Sequence, residues 1–270
     1  MSEEICSLED LDLQDPLGVR ERRMPKRGIT MIIDKGLGIA QFQDLLDTAG
    51  SYIDFVKLGF GTTALYPPQI LQAKIRMAQQ YKVDVYPGGT FFEVAFHHGK
   101  IRKYLSSMQQ LGFTKLEISD GTVDLPEETR REAIYLAKDL GLDVITECGK
   151  KAAGSLIEVE GLMKTLLSDL QAGSSFVIIE GRESGENVGI YDEKGKFHDD
   201  FVSIMKEIRP FNSQVIWEAP KKSQQVELIN SFGPNVNLGN IPPDEIFSLE
   251  SLRRGLRSDT FFWDARRDQA

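Results

Sequence analysis

The chain has 270 residues, of which 41% are hydrophobic, so it can bury one large core or two small ones. Its formal net charge of −9 argues against a general nucleic-acid binder, because phosphate binding needs clustered Lys and Arg, but a few local cations could still hold a small anionic substrate. The acidic amino terminus lacks the basic and apolar regions of a secretory signal, and no apolar run reaches the length of a membrane span. We therefore predict a cytoplasmic protein with neither membrane nor nucleic-acid partners.

Eight short runs are rich in β-branched and aromatic residues, and most of them are closed by Gly, Pro or Asp, which predicts strands. In chain order these runs are 28–34, 52–60, 83–89, 113–119, 142–147, 175–181, 214–220 and 235–240. Amphipathic segments between them predict helices. The segment LPEETRREAIYLAKDLG, for example, has Pro126 and acidic residues at its start and Gly141 as its stop.

Eight strands that alternate with helices predict an α/β protein, a single-domain (β/α)8 TIM barrel over residues 28–257, close to the usual length of this fold. A doubly wound open sheet is the structural alternative; periodicity alone does not exclude it, but the count of eight favours closure. Residues 1–27 form an N-terminal extension that we expect to wrap the barrel bottom or make an oligomer contact. Residues 258–270 form a polar tail that we expect to fray.

Carboxylates stand at the ends of four successive predicted strands, where active sites of such barrels lie. They are Glu117, Glu147, Glu180 and Glu218. Strand alternation puts Lys115, Glu117 and Ser119 on one face, opposite Leu116 and Ile118. A single such Glu could be a rim residue paired with Lys or Arg, but four in succession favour a site, because clustered carboxylates need a divalent cation, fixed cations or a shared proton.

Cations and glycine-rich turns lie at the ends of several predicted strands, including strands other than these four. Glycines at these turns let backbone N–H groups approach a ligand, although ordinary βα turns use glycine as well. The residues concerned are Lys35, Lys57, Gly59, Gly61, Gly88, Gly89, Lys150, Lys151, Arg182 and Asn240. Segment 181–198 is longer than a usual loop, which predicts a lid or clamp.

Two kinds of residue are interpreted as structural. Cys6 and Cys148 are too few for a disulfide framework and fit a reducing compartment, and Cys148 fits a small buried apolar residue better than a nucleophile. His97 and His98 lack metal-ligand spacing, so we interpret them as ordinary helix residues.

Long motifs at the strand ends together resemble the phosphosulfolactate synthase family. They are DKG (34–36), YIDFVKLGFGT (52–62), VYPGGTFFE (85–93), LEISDG (116–121), TECGKK (146–151), VIIEGRESG (177–185), EAPKKSQQ (218–225) and SLRRGLRSDTF (251–261). The resemblance runs from about residue 34 to residue 261, nearly the whole predicted barrel. A plant heat-stress protein family is also similar.

The resemblance implies a (β/α)8 fold and a Mg²⁺-dependent lyase-type addition. Sulfite would add to C3 of phosphoenolpyruvate and give (2R)-phospho-3-sulfolactate, the entry step to coenzyme M in some organisms and a source of sulfolactate in others. The expected intermediate is an enediolate whose C2 a nearby acid must protonate. A lysine suits this task when neighbouring charges tune its pKa towards neutrality.

The resemblance also implies roles for residues. Lys151 matches the family's proton donor, and Lys150 remains a candidate for the same role or for anion binding. Asp34 and Asp120 would orient the catalytic groups, and the four strand-end glutamates would hold Mg²⁺ directly or through water. The expected substrate-binding set is Lys35, Lys57, Arg182, Gly59, Gly61, Gly88, Gly89, Ser119 and Asn240.

Two further hypotheses stay open at this point. An aldolase-type barrel would use Lys57 or Lys150 as a Schiff base, which requires a desolvated lysine. A non-catalytic, stress-associated barrel would act through protein contacts, although a scaffold has no need to keep costly clustered charges. We also expect a homo-oligomer, as barrels of this sort commonly assemble.

Overall fold

A computed structural model describes residues 13–20, 27–152, 154–155, 158–199 and 201–262. Its core is one sheet of eight parallel strands, which confirms the predicted barrel and argues against the doubly wound alternative. The strands are β1 (Thr30–Asp34), β2 (Phe55–Leu58), β3 (Asp84–Pro87), β4 (Lys115–Ile118), β5 (Asp143–Cys148), β6 (Phe176–Ile179), β7 (Val215–Glu218) and β8 (Leu238–Ile241). Each coincides with a predicted run and is shorter or displaced by one residue, because the ladder stops where the chain turns.

Helices connect successive strands and cover the outside of the barrel. They are α1 (Ile39–Ala49), α2 (Pro68–Gln80), α3 (Gly89–His97), α4 (Ile101–Leu111), α5 (Glu127–Asp139), α6 (Val159–Ala172), α7 (Phe201–Ile208), α8 (Lys222–Phe232) and α9 (Ile246–Arg253). The connection from β3 to β4 contains two helices, α3 and α4, where the alternation predicted one.

Local sequence explains where several helices begin and end. Helix α5 follows Pro126 and carries Glu127 and Glu128 in its first turn, where acidic side chains favour the helix dipole. Helices α4 and α6 end at Gly112 and Gly173, both in the left-handed conformation that glycine adopts without strain.

The hydrogen-bonded ladder runs in the order β3-β2-β1-β8-β7-β6-β5-β4, so its two ends, β3 and β4, meet at a seam. Side chains bridge this seam. At the bottom the Thr114 hydroxyl lies 3.1 Å from Asp84 Oδ1, and at the top the Gly89 N–H donates to Glu117 Oε1 over 2.7 Å. Hydrogen bonds to polar side chains therefore close the barrel between β3 and β4, whereas backbone hydrogen bonds join the other neighbouring strands.

Two apolar layers form the core, one on each side of the sheet. The layer inside the barrel comprises Ile29, Met31, Phe55, Tyr86, Ile145, Ile178 and Ile216. The larger layer lies between sheet and helices and includes Leu116 and Ile118, while Glu117 lies on the cavity side. The alternation predicted for β4 is thus confirmed.

The ends of the chain pack on the barrel where they are described. Arg20 pairs with Glu250 of α9 at 3.2 Å and reaches Asn235 before β8, so residues 13–20 lie against the barrel bottom; residues 1–12 and 21–26 lie outside the described residues. The start of the tail is anchored, contrary to the expected fraying: Thr260 is buried and donates to the Leu252 carbonyl over 2.7 Å. Residues 263–270 lie outside the described residues. No helix in the described part is long and apolar enough to span a membrane.

Candidate active site

A cavity of about 520 Å³ opens at the carboxyl ends of the strands. Most of the residues expected to form a site line it: Lys57, Gly59, Gly88, Gly89, Glu117, Glu147, Lys151, Glu180, Arg182, Glu218 and Asn240. These residues come from seven different strand ends, those of β2 to β8, in agreement with the rule that places barrel active sites at this end of the barrel.

Three buried carboxylates converge in this cavity. Glu147, Glu180 and Glu218 each offer one oxygen, and these oxygens lie within 4.8 Å of one another. Glu147 Oε1 pairs with Lys151 Nζ at 2.8 Å, and the buried atom Glu180 Oε2 lacks a hydrogen-bond donor among the described residues. A set of converging carboxylate oxygens with an unsatisfied acceptor is the kind of site that a hard divalent cation prefers. We refer to these three residues as the glutamate triad.

Lys57 reaches into the carboxylates from β2 across the barrel. Its Nζ atom lies 3.1 Å from Glu117, 3.1 Å from Glu147 and 2.9 Å from Glu218. Burial alone would lower the pKa of Lys57, but these three carboxylates outweigh it and raise the pKa well above its usual range. The structure thus places Lys57 as a counter-ion of the glutamates, in a different setting from the substrate-anion contact expected from sequence.

Negative charge remains in excess around the triad. Five carboxylates, those of the triad, Glu117 and Glu93, face two ammonium groups, Lys57 and Lys151, which leaves a formal charge of −3. Burial raises the pKa of Glu117 to about 7 against the opposing effect of Lys57, and burial together with Glu147 raises the pKa of Glu180 well above its usual range. Burial would also raise the pKa of Glu147, but Lys151 and Lys57 outweigh it and lower that pKa. One divalent cation would offset most of this excess charge.

The adjacent lysines point in different directions. Lys151 Nζ lies 2.8 Å from Glu147 and 3.2 Å from Glu93, inside the cavity. Lys150 instead donates to the carbonyls of Asp120 and Val123 at 2.9 Å each, and its side chain is 46% exposed. Of the two candidates, Lys151 is the one that faces the carboxylates.

The charge on Lys151 is stabilised more strongly than expected. Burial would lower its pKa, but Glu147, Glu180 and Glu93 outweigh burial and raise it above the usual range, whereas tuning towards neutrality was expected. The cause is the surplus of carboxylates around one ammonium group. Lys151 therefore carries a proton at neutral pH.

The family model for (2R)-phospho-3-sulfolactate synthase (ComA) matches residues 19–259 of this chain. The chain belongs to the phosphosulfolactate synthase family. Phosphosulfolactate synthase of Methanothermobacter thermautotrophicus is 44% identical over 243 residues, which cover 89% of this chain and 94% of that protein. The synthase of Methanocaldococcus jannaschii is 45% identical over 238 residues, covering 87% and 94%, and that of Bacillus subtilis is 36% identical over 263 residues, covering 94% and 100%.

More distant similarities agree with the fold. The Arabidopsis thaliana Protein HEAT-STRESS-ASSOCIATED 32 is 25% identical and covers 87% of this chain and 85% of its own length. The crystal structure of 3-hexulose-6-phosphate synthase from Salmonella typhimurium superimposes with a TM-score of 0.53 at 14% identity, covering 82% of this chain and 96% of that chain. At 14% identity, the structural match supports the barrel fold alone.

Some residues of this chain that were expected in the active site lie outside the cavity. In β1 the side chain of Ile33 faces the cavity, so Asp34 points the other way: it pairs with Lys74 of α2 and accepts N–H bonds from Gly36 and Leu37 at 2.7 Å each. Asp34 therefore shapes the loop that carries Lys35.

Three other expected residues take supporting positions. Asp120 lies 3.2 Å from Arg130 Nη1, beside Lys150. The Ser119 hydroxyl donates to Glu93 and does not line the cavity. Gly61 lies in the turn after β2 with φ of 68°, in the left-handed region that suits glycine.

The cations without carboxylate partners lie at the rim. Arg182 lines the main cavity, and Lys35 lines a neighbouring cavity of about 270 Å³ that shares Ile33, Glu183 and Asn240 with it. Neither forms an ion pair with the residues that the structure describes. Asn240 is buried between the two cavities with φ of 55°, and its Oδ1 accepts no hydrogen bond from the described residues.

The segment after β6 is folded onto the site. The Gly181 N–H donates to Glu218 Oε2 over 3.0 Å, and the Tyr191 hydroxyl donates to the Glu218 carbonyl over 2.7 Å. This part of the expected lid or clamp therefore holds a member of the glutamate triad in place.

Sequence reasoning missed two charged residues on helices. Glu93 of α3 contacts Lys151, and Arg130 of α5 donates to the Glu147 carbonyl over 2.9 Å while pairing with Asp169. The motif VYPGGTFFE, which ends in Glu93, could have indicated this residue, but the site was predicted from strand ends and Glu93 lies on a helix.

Cys148 lies at the end of β5 in the core between the sheet and the helices, and it does not line the cavity. It is buried, and burial raises the pKa of its thiol to about 12 despite the opposing effect of Arg130. A protonated, enclosed thiol is a poor nucleophile, which agrees with its interpretation as a small core residue. Cys6 lies outside the described residues.

Proposed function

We propose that this protein catalyses the Mg²⁺-dependent addition of sulfite to phosphoenolpyruvate, giving (2R)-phospho-3-sulfolactate. The observation that carries the proposal is the glutamate triad beside the protonated Lys151 in a chain of the phosphosulfolactate synthase family. The triad supplies oxygen ligands, and the lysine supplies a proton, so both requirements of the reaction are met in one cavity.

The residues fit a divalent cation. Glu147, Glu180 and Glu218 would hold it, because their oxygens converge and the local formal charge of −3 favours the binding of a dication. Mg²⁺ fits an oxygen-only donor set that leaves waters for a substrate to displace. When bound, the cation would stabilise the negative charge that develops on the substrate carboxylate.

The sulfur lone pair of sulfite forms the new bond to C3 of phosphoenolpyruvate, and the C2–C3 π electrons move towards the carboxylate, giving an enediolate. Lys151 then gives its proton to C2 and regains one from solvent, so atoms and charge balance. Arg182 and Lys35 hold the substrate anions, because their charges are not neutralised by carboxylates of the described residues. Lys57 keeps the glutamates together.

The Schiff-base hypothesis is disfavoured by the surroundings of its two lysines. Attack on a carbonyl requires a neutral amine, but three carboxylates raise the pKa of Lys57 well above its usual range against the effect of burial. Lys150 is bound to loop carbonyls away from the cavity. Borohydride trapping with a carbonyl substrate should therefore give no adduct at either lysine.

The non-catalytic hypothesis rests on similarity to a heat-stress protein at 25% identity. Against it stands the cluster of buried ionisable groups, which is costly to maintain in a scaffold. The decisive assay combines purified protein, phosphoenolpyruvate, sulfite and Mg²⁺, with and without EDTA. We expect sulfite-dependent loss of phosphoenolpyruvate that EDTA abolishes, and an absence of turnover under all conditions would reject the proposed function.

Location and assembly remain predictions. We expect the protein to work in the cytoplasm as a homo-oligomer, with phosphoenolpyruvate and sulfite as its small-molecule partners. Light scattering after size-exclusion chromatography measures the assembly directly, and a particle of 30.3 kDa would contradict the predicted oligomer.

A further inference from the structure

Glu93 is a buried carboxylate that the proposed reaction does not yet use. It lies on α3, and its side chain is 2% exposed. Helix α3 starts at the seam between β3 and β4, where a Cβ on Gly89 would come within 2.3 Å of Ser119 Oγ. This close approach brings Glu93 to the loop that follows β4.

The carboxylate of Glu93 is held by three donors from that loop. It accepts hydrogen bonds from the Ser119 hydroxyl, from the Gly121 N–H at 3.1 Å and from the Thr122 N–H at 3.0 Å. Hydrogen bonds to the charged form of a carboxylate stabilise that form. Glu93 is therefore a fixed anion whose position is set by the ends of β4 and α3.

The same carboxylate aligns the ammonium group of Lys151. Lys151 Nζ donates to Glu93 Oε1 over 3.2 Å. Glu147 Oε1 is closer, at 2.8 Å, and Glu180 Oε2 is 4.0 Å away. Among the described residues, two carboxylates therefore hold the Lys151 ammonium group, and Glu93 is the one of the two that lies outside the glutamate triad.

The stem of Lys151 is fixed by the loop that Glu93 holds. The Lys151 N–H donates to the Gly121 carbonyl over 2.9 Å, and a Cβ on Gly121 would lie only 2.7 Å from Lys151 Cγ. Glu93 therefore accepts hydrogen bonds from both the Gly121 N–H and the Lys151 ammonium group. It stabilises the backbone of Lys151 through Gly121 and the side chain of Lys151 directly. The glutamate triad remains available for a cation, because Glu93 is not one of its members.

We propose that Glu93 is the positioning residue for Lys151, orienting the ammonium group so that its transferable proton faces the reacting carbon. The inference rests on the proposed role of Lys151 as proton donor. An ammonium group has three N–H donors; fixing one of them on Glu93 restricts rotation of the other two. Glu93 itself does not contact substrate in this account.

The test compares wild type, Glu93→Gln and Glu93→Asp in the assay with phosphoenolpyruvate, sulfite and Mg²⁺. For Glu93→Gln we expect kcat to fall about 10²-fold, the lower end of what a positioned acid contributes. The KM for phosphoenolpyruvate should stay within about threefold, because the lost contact serves the proton-transfer step alone. The solvent deuterium isotope effect on kcat should rise as proton transfer becomes slower. Glu93→Asp keeps the charge but withdraws the carboxylate from Lys151 by one methylene, so we expect a smaller fall in kcat; this variant serves if the amide variant fails to fold.

The matched control is Glu250→Gln, which removes another buried, ion-paired carboxylate, at the barrel bottom. We expect it to lower the melting temperature without the change in isotope effect. An unchanged kcat in Glu93→Gln or Glu93→Asp, or a loss explained by unfolded protein alone, would overturn the proposal.

A second readout separates this inference from the proposed function. Crystal structures of wild type and Glu93→Gln should show the Lys151 ammonium displaced in the variant. If the wild type lacks turnover, the proposed function fails, and an unmoved lysine would then reject the positioning role independently.

Discussion

At the scale of single residues, Lys150 and Lys151 are adjacent and chemically identical, but their different contacts give them different roles. Lys151 is surrounded by carboxylates, while Lys150 donates to the Asp120 and Val123 carbonyls that define the loop after β4. The glycine between strand and lysines allows this divergence: Gly149 has φ of 128°, a conformation that few other residues adopt.

The first prediction separates these two tasks. Lys151→Ala should lower kcat by about 10²- to 10⁴-fold, the contribution of a positioned proton donor. Lys150→Ala should keep activity within about fivefold, because an exposed ion pair contributes at most about 1 kcal/mol. Steady-state kinetics on both variants checks this, and a larger loss for Lys150→Ala would reverse the assignment.

At the scale of elements, the seam between β3 and β4 depends on small residues. The N-terminus of α3 approaches β4 so closely that a Cβ on Gly89 would lie 2.3 Å from Ser119 Oγ and 2.7 Å from Glu117 Oε1. A helix that packs this tightly leaves no room for a methyl group.

The second prediction concerns that packing. Gly89→Ala should lower the free energy of unfolding by about 1–3 kcal/mol, the usual effect of overpacking. Gly161→Ala is the matched control, since it lies in α6 with nothing within 4 Å of its added Cβ. That control should raise stability by up to about 1 kcal/mol through helix propensity. Chemical denaturation of both variants measures the difference, and equal effects would contradict the packing argument.

Sequence alone was sufficient for elements with strong local signals. Strands closed by glycine, proline or aspartate were placed correctly, and alternation around Glu117 predicted which side chains face inward. The same alternation, applied to β1, would have turned Asp34 outward once Ile33 was assigned to the cavity.

Contacts that cross the barrel could not be predicted in this way. The partners of Lys57 come from β4, β5 and β7, and no spacing along the chain encodes distances across a closed sheet. Glu93 was missed for a related reason, because its position depends on how tightly α3 approaches β4.

At the scale of the whole molecule, an excess of buried negative charge couples stability to cations. We predict that Mg²⁺ raises the melting temperature and EDTA reverses the rise, with about 2.7 kcal/mol of stabilisation at a cation concentration of 100 times Kd. Glu180→Gln should abolish the rise, because it removes a triad oxygen. Glu183→Gln, which alters a cavity carboxylate outside the triad, should retain it. Differential scanning calorimetry decides, and a Mg²⁺-dependent rise in Glu180→Gln would exclude the triad as the site.

The amino-terminal segment adds a pH-dependent contribution. Burial would raise the pKa of Glu250, but Arg20 and Arg253 outweigh it and lower the pKa below its ordinary value of 4.5. Stabilisation by the charged form is therefore complete above that value and is lost as the pH falls through the lower, folded-state pKa.

We expect Glu250→Gln to cost about 1–3 kcal/mol near pH 7, because the Arg20 guanidinium loses a charged partner. The difference between wild type and variant should shrink below the ordinary pKa of 4.5. Urea unfolding at several pH values tests the sign, and a difference that grows on acidification would refute it.

At the seam, one carboxylate connects the closure of the barrel with the centre of the site. The ladder ends at β3 and β4, and Glu117 both receives the Gly89 N–H there and pairs with Lys57 at the centre. We expect a ligand or cation that draws Lys57 or the glutamates into new contacts to change the hydrogen bond between Glu117 and the Gly89 N–H. The hydrogen-exchange rate of the Gly89 amide should therefore change when a ligand or cation binds in the middle of the barrel, because that amide donates to Glu117.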